Sequence, residues 1–414
     1  MPSSPPQNVW KEQKLDDMAY EVRDLFEPKG AEEFPYIGLE HIEQQSLMLI
    51  SVGKSIDTIS TKKIFRSGDI LFGSLRPYFR KVVRPNFSGL CSTDITVIRA
   101  KNNSDNSFIF YFITNQMFID YATKISSGTR MPRANWKVLC ESKWRFPPLP
   151  TQRIIAAILS TYDDLIENNT RRIKILEEMV QAIYHEWFVH FRFPGHESVR
   201  MVESELGMIP DGWEVVKVPD AIIINPRIKL PKNGIKPFLS MGSLSENTMN
   251  VQNIEYREGN SGSKYQNGDT LFARITPCLE NGKTVFIQFL SSDLDTGFGS
   301  TEFIVLRSKT LTPEFVYLLS RTDSFRDNAI KSMSGATGRQ RVQEECFDKF
   351  HFAHPDKETL IAFDEIIKPF FKFIYLFSKK NENLRHTRDL LLPKLISGEL
   401  DVSELNIMIP EAMT

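Results

Sequence analysis

Apolar positions along the chain fall into two kinds of pattern. Through most of residues 1–150 and 193–354, short runs of Val, Ile, Phe and Thr are broken by Gly, Pro, Asn and Asp, as in Asp69–Leu75, Asp94–Arg99 and Thr301–Leu306. Such runs predict strands joined by turns. A different pattern follows each of these stretches. Ile155, Leu159, Tyr162, Ile166, Asn169, Ile173, Leu176, Val180, Ile183 and Trp187 are spaced by alternating four- and three-residue steps. That is the 3.5-residue period of a coiled-coil seam. The same spacing recurs at Phe363, Ile367, Phe370, Ile374, Phe377, Asn381, Leu384, Arg388, Leu391 and Leu395. Asn169, Asn381 and Arg388 are the polar members, and a polar residue in a seam trades stability for a fixed register.

The whole order repeats at a period near 200 residues. Gly68-Asp69-Ile70-Leu71-Phe72 is matched by Gly268-Asp269-Thr270-Leu271-Phe272, Ser92-Thr93-Asp94 by Ser300-Thr301-Glu302, Arg99 by Arg307 and Ser127-Gly128 by Ser334-Gly335. A period this long means tandem domains rather than a solenoid. The expected fold class is α+β: two strand-rich domains, each followed by a long helix, with the two helices pairing as an antiparallel coiled coil about a pseudo-twofold. The segments are 1–150, 151–192, 193–354 and 355–414. Each helix of roughly 40 residues would span about 60 Å. Such a rod would hold two similar readers at a fixed separation, which suits a split target. Pro369 falls inside the second helix and predicts a bend or a restart there.

Composition adds limits. The 414 residues, 41% apolar and 25% charged, describe a globular chain of two or three domains. The net charge of −1 excludes a uniformly basic coat but not a local patch. Residues 1–150 carry 20 Lys+Arg against 16 Asp+Glu, a local +4. Cys91, Cys140, Cys278 and Cys346 form no CxxC pair and read as reduced thiols of a cytoplasmic protein. The N-terminal stretch lacks the pattern of a signal peptide, and no run of about 18 apolar residues predicts a membrane span.

Chemical motifs are sparse. His185 and His190 stand five apart, not four as a helical zinc pair requires. There is no GxxxxGK[ST] loop and no Asn/Asp-Pro-Pro-aromatic motif, so no catalytic residue, metal or cofactor is expected on this chain. What stands out is charge. Lys62, Lys63, Arg66, Arg76, Arg80, Lys81 and Arg84 face only Asp69 across 62–84, with Tyr78 among them. Thr129, Arg130 and Arg133 lie in the Ser-Gly segment that follows. The second half offers the sparser set Arg274, Lys283, Lys331, Thr337, Arg339 and Arg341. Clustered guanidinium and ammonium groups are what a phosphate backbone binds.

These residues carry a family resemblance. PYIGLEHI at 35–42, GDILFGSLRPY at 68–78, CSTDITVIR at 91–99, SGTRMPR at 127–133, the central stretch 147–193 and RDLLLPKLISGEL at 388–400 resemble the specificity subunit of type I restriction–modification systems. The resemblance implies a non-catalytic subunit whose two target recognition domains read a bipartite double-stranded DNA site. It implies helices that dock two modification (methyltransferase) subunits, which bind S-adenosylmethionine and methylate adenine. Restriction (motor-nuclease) subunits would join them. The second half departs from the pattern: Thr276-Pro277-Cys278 replaces Arg76-Pro77-Tyr78, and its Ser-Gly segment is one residue longer. The competing readings are a self-sufficient DNA methyltransferase or nuclease, and a coiled-coil scaffold for protein partners. Tyr184, Trp187, Phe188, Phe191, Phe193, Phe371 and Phe373, off or at the ends of the seams, either pack on the domains or dock partners.

Overall fold

A computed structural model describes residues 10–27, 33–57, 60–293, 295–336, 338–403, 405 and 407. The fold is α+β, and it divides into two compact units that cut across the four expected segments. One unit is Met1–Ile166 with Asn383–Thr414, and the other is Glu167–Glu382. Each unit therefore holds one strand-rich domain and part of both long helices.

In the first unit a four-stranded antiparallel sheet has the order Ala19–Val22, Ile95–Ala100, Ile70–Gly73, Val82–Val83. A second sheet runs Leu25–Phe26, Lys62–Phe65, Gly89–Cys91, Pro35–Ile37, Gly53–Lys54, and its Pro35–Ile37 and Gly89–Cys91 strands are parallel. The second unit repeats both. Its four-stranded sheets are Ile222–Ile224, Phe303–Ser308, Thr270–Ala273, Thr284–Phe286 and Glu255–Arg257, Lys236–Leu239, Gly297–Gly299, Ser263–Tyr265, again with one parallel pair in the latter.

The central strands are apolar at nearly every position because both their faces are buried. Alternate side chains enter different cores. Ile70, Phe72 and Ile98 pack toward the helices, whereas Leu71, Ile95 and Val97 pack between the sheets. Phe272, Ile304 and Leu306 against Leu271, Phe303 and Val305 repeat this division. Each domain also carries a pair of short helices, Asn106–Thr114 with Gln116–Lys124 and Pro313–Arg321 with Asp323–Lys331.

The long helices are Leu149–Tyr184, prolonged by a π-helical turn at His185–Val189, and Lys357–Ser397. Every seam position is buried or half-buried. In the second unit the helices run antiparallel: Asn169 meets Asn381 at 2.9 Å at one end, and Trp187 packs on Phe363 at the other, ring centroids 5.6 Å apart. In the first unit Ile155 and Leu159 share a core with Leu391, Leu392, Leu395 and Ile396. Arg388, whose side chain is 2% exposed, pairs there with Asp163 and Asp389, and the Tyr111 hydroxyl donates to Asp163 at 2.6 Å.

The expected restart at Pro369 does not occur, since the helix runs unbroken from Lys357 to Ser397. Pro369 lies on an exposed face, so the Glu365 carbonyl it leaves without a donor can bond water instead.

Candidate nucleic-acid interface

The repeat's most similar residues prove to be structural. Gly68 and Gly268 take φ of +85° and +84°, a conformation open to glycine, and turn the chain into Asp69 and Asp269. Each buried carboxylate accepts a backbone N–H three residues back, from Arg66 at 2.8 Å and Gln266 at 2.7 Å. Each also takes a two-pronged bond from an arginine on the neighbouring strand, Arg99 at 2.7 and 2.8 Å and Arg307 at 2.7 Å twice. Burial pushes the Asp269 carboxyl above its ordinary range, and the Arg307 bond pulls back against it.

Beyond the ends of these strands the Ser-Gly segments form loops. Ser127 and Arg133 exchange backbone hydrogen bonds at 3.1 and 2.9 Å, and Ser334 and Arg341 at 3.0 and 2.9 Å. Gly128 and Gly335 have φ of +102° and +126°, which gives the turn a plain conformational reason. The first loop is brought against the 74–80 segment: Arg76 N–H donates to the Pro132 carbonyl at 2.7 Å, and the Arg76 guanidinium to the Arg130 carbonyl at 3.3 Å. Gln45 ties a third loop to the same place, donating to the Tyr78 carbonyl at 3.2 Å. In the second unit Thr276 N–H donates to the Gln340 carbonyl at 3.1 Å, and Gln340 N–H returns a bond to the Thr276 hydroxyl at 2.9 Å.

The sequence candidates separate on this frame. Arg66, Tyr78, Thr129 and Arg130 are exposed in the first unit, as are Lys331 and Arg339 in the second. Lys62 is corrected: it is buried at 5% exposure, bonds Ser60 and lies over the Tyr36 ring. Lys63 is held by Glu21 and the Ile95 carbonyl, Lys81 by the Leu39 carbonyl, and Arg84 by Ser107 over the Phe110 ring. Arg80 is half-buried, and the loss of solvent lowers its pKa while Asp389 raises it in part. Arg274 bonds Glu344 and the Val342 carbonyl, and Lys283 points to the Met241 carbonyl. Arg133 and Arg341 are each paired with an acid, Asp94 at 2.8 Å and Glu302 at 2.7 Å. Thr337 lies outside the described residues. Asp94 and Glu302 were not singled out as site residues from the sequence, although the repeat aligns them.

The off-seam aromatics also separate. Tyr184, Phe188 and Phe193 pack inside the second unit on Phe315, Phe363 and Trp213, and Phe371 on Phe286 and Tyr317. Phe373 is 53% exposed, Ile366 and Leu376 on the same helix are exposed too, and so are Ile175 and Met179 on the other long helix. Among the described residues no helix is long and apolar enough to cross a membrane, and no cluster of three or more His, Cys, Asp or Glu is placed to hold a metal.

Residues 8–178 match the family model of the type I restriction modification DNA specificity domain. The chain is 24% identical to the type I restriction enzyme MjaIX specificity subunit of Methanocaldococcus jannaschii, over 90% of this chain and 88% of the relative. It is 22% identical to the HindI specificity subunit of Haemophilus influenzae, over 94% and 99%. The chain is thus similar along most of its length to type I specificity subunits, and its first 178 residues hold the match to the DNA specificity domain. Its fold is shared with the solved type I S subunit from M. genitalium, at a TM-score of 0.56 and 13% identity over 95% of this chain and 97% of that one. In this chain the exposed Arg130 and Arg339 lie in the equivalent Ser-Gly loops of the two domains.

Proposed function

We propose that this chain is the DNA sequence-recognition subunit of a type I restriction–modification system, each domain reading one half of a bipartite double-stranded site. The observation that carries this reading is the pair of equivalent loops. Two domains of the same topology present the same closed Ser-Gly loop with an exposed arginine, Arg130 or Arg339, while the residues around the loops differ. Two non-identical copies of one reader fit a site made of two unlike halves. The chain supplies no catalysis in this reading. Two modification subunits dock on the helices, bring S-adenosylmethionine and methylate adenine, and motor-nuclease subunits complete the assembly in the cytoplasm.

In the second unit Glu177, Tyr184 and Phe371, each one step after a seam position, are buried against the domain, and Met179 and Phe373, each one step before, are exposed. This leaves an apolar flank for a helical partner, and large aromatics such as Phe373 commonly anchor interfaces.

The test is co-expression with a type I modification subunit and mapping of adenine methylation. The expected result is a split motif with a fixed gap, seen only when both chains are present. Methylation by this chain alone would favour the self-sufficient enzyme. Association without methylation would favour the scaffold.

A further inference from the structure

The ion pair at the root of each loop is repeated although the loop sequences around it are not. In the first unit Arg133 donates to Asp94 at 2.8 Å. In the second, Arg341 forks onto Glu302 with contacts of 2.7, 2.9 and 3.0 Å. The acid changes length and the loop gains a residue, yet the pair survives. The backbone around it is also the same. Ser74 N–H donates to the Asp94 carbonyl at 2.9 Å and Arg274 N–H to the Glu302 carbonyl at 3.0 Å, while Ala134 and Val342 return bonds to Ser74 and Arg274, each at 2.9 Å. The acid therefore sits on a strand-end turn fixed to the sheet, and the arginine sits where the loop re-enters it. Both arginines are about half exposed, and ion pairs so exposed contribute little to stability. A stability role does not explain the repetition. Farther out, Arg130 and Arg339 have no side-chain partner among the described residues.

We infer that Asp94–Arg133 and Glu302–Arg341 are positioning pairs that hold the two Ser-Gly loops in the form that meets DNA, and that Arg130 and Arg339 at the loop tips make the phosphate contact. This rests on the DNA-reading function proposed above. Arg133 and Arg341 act through loop geometry, with their charge balanced by Asp94 and Glu302. Arg130 and Arg339 act through charge. A cation that neutralises a phosphate adds about 0.9 to the slope of log affinity against log salt, and a positioning residue adds nothing.

The experiment uses the full chain bound to its modification subunit, with duplex binding measured at several salt concentrations. Arg341→Glu should weaken cognate binding at least tenfold, and the swapped pair Glu302→Arg with Arg341→Glu should recover to within about threefold with a wild-type salt slope. Arg339→Ala should weaken cognate and non-cognate binding alike and lower the slope by about 0.9. In the methylation map, Glu302→Gln should relax one half-site and leave the other intact. A folded swap that fails to recover, or a slope lowered by Arg341→Gln as much as by Arg339→Ala, would overturn the inference by making Arg341 a direct contact.

A readout without DNA keeps the two proposals distinguishable. Glu302→Gln should speed hydrogen exchange across 334–341 and leave Phe303–Ser308 unchanged, and an unchanged loop would overturn the positioning role. Should the loop respond while the wild-type complex shows no sequence-selective binding, the functional reading fails and the brace stands.

Discussion

Asp163→Ala removes the main counter-charge of the most deeply buried cation in the first unit. The Arg388 side chain is 2% exposed and is held by Asp163 on one side and by Asp389, at 3.0 and 3.1 Å, on the other. The alanine leaves one guanidinium nitrogen facing an apolar seam, and it strips the Tyr111 hydroxyl of its acceptor. Breaking a buried pair from one side costs about 3–5 kcal/mol. Asp389 remains, and the Asp163 side chain is itself 27% exposed, so the lower end applies, near 3 kcal/mol, with the stranded hydroxyl adding about 1 kcal/mol. The assay is urea denaturation followed by circular dichroism, with hydrogen exchange at Leu391–Ile396 to localise the loss. Replacing both partners, Asp163→Leu with Arg388→Met, should return to within about 1 kcal/mol of wild type, because an apolar pair of similar volume pays no desolvation. A loss below about 1 kcal/mol for the single variant, or a double variant no better than the single, would refute the reasoning.

Three further outcomes are expected. Glu177 is buried on the first long helix, accepting from the Thr248 hydroxyl at 2.6 Å and the Met249 N–H at 2.7 Å; burial, opposed by these bonds and by Arg321, raises its pKa to about 7. The folded state then holds a proton that the unfolded state has released, so stability should fall as pH rises from about 4.5 to about 7, and thermal melts of Glu177→Gln should show a flatter pH dependence than wild type. Asn169→Leu should destabilise the second unit by about 1 kcal/mol, because the Asn381 side-chain oxygen loses its Asn169 donor while the Asn381 amide still donates to the Thr170 hydroxyl at 3.1 Å, whereas Asn169→Leu with Asn381→Leu should melt at or above wild type; a single variant as stable as wild type in denaturation would contradict the pairing. Phe373→Asp should leave the melting temperature unchanged and weaken capture of the modification subunit in a pull-down, and undiminished capture would remove that flank from the docking surface.

The seams were legible because a 3.5-residue period depends only on which positions are apolar, and Asn169 and Asn381 stood out as the polar steps that do meet. The repeat was legible for a related reason: Gly68-Asp69 and Arg99 recur because a positive-φ turn and a forked ion pair tolerate few substitutes. Charge was misleading. A sequence shows that Lys62, Lys81 and Arg84 are basic, but not that Tyr36, the Leu39 carbonyl and Ser107 take them up. The short helix Asn106–Thr114 gave no helical period because Ser107–Thr114 are buried on every side, and a helix apolar all round shows no face. Pro369 pointed to a restart that an exposed position does not require.

The division of the chain has a consequence for its biosynthesis. Glu167–Glu382 is contiguous, but its neighbour joins Met1–Ile166 to Asn383–Thr414, so one folding unit is nested within the other. The core of the outer unit includes Leu392, Leu395 and Ile396 beside Leu159 and Phe108. A ribosome that has finished the first 166 residues has therefore not finished that core. The inner unit can close while the outer one waits for a helix still to be made, an inversion of the usual N-terminal-first order of folding. Until that helix arrives, the outer unit's apolar groove is open to chaperones or to the wrong helix.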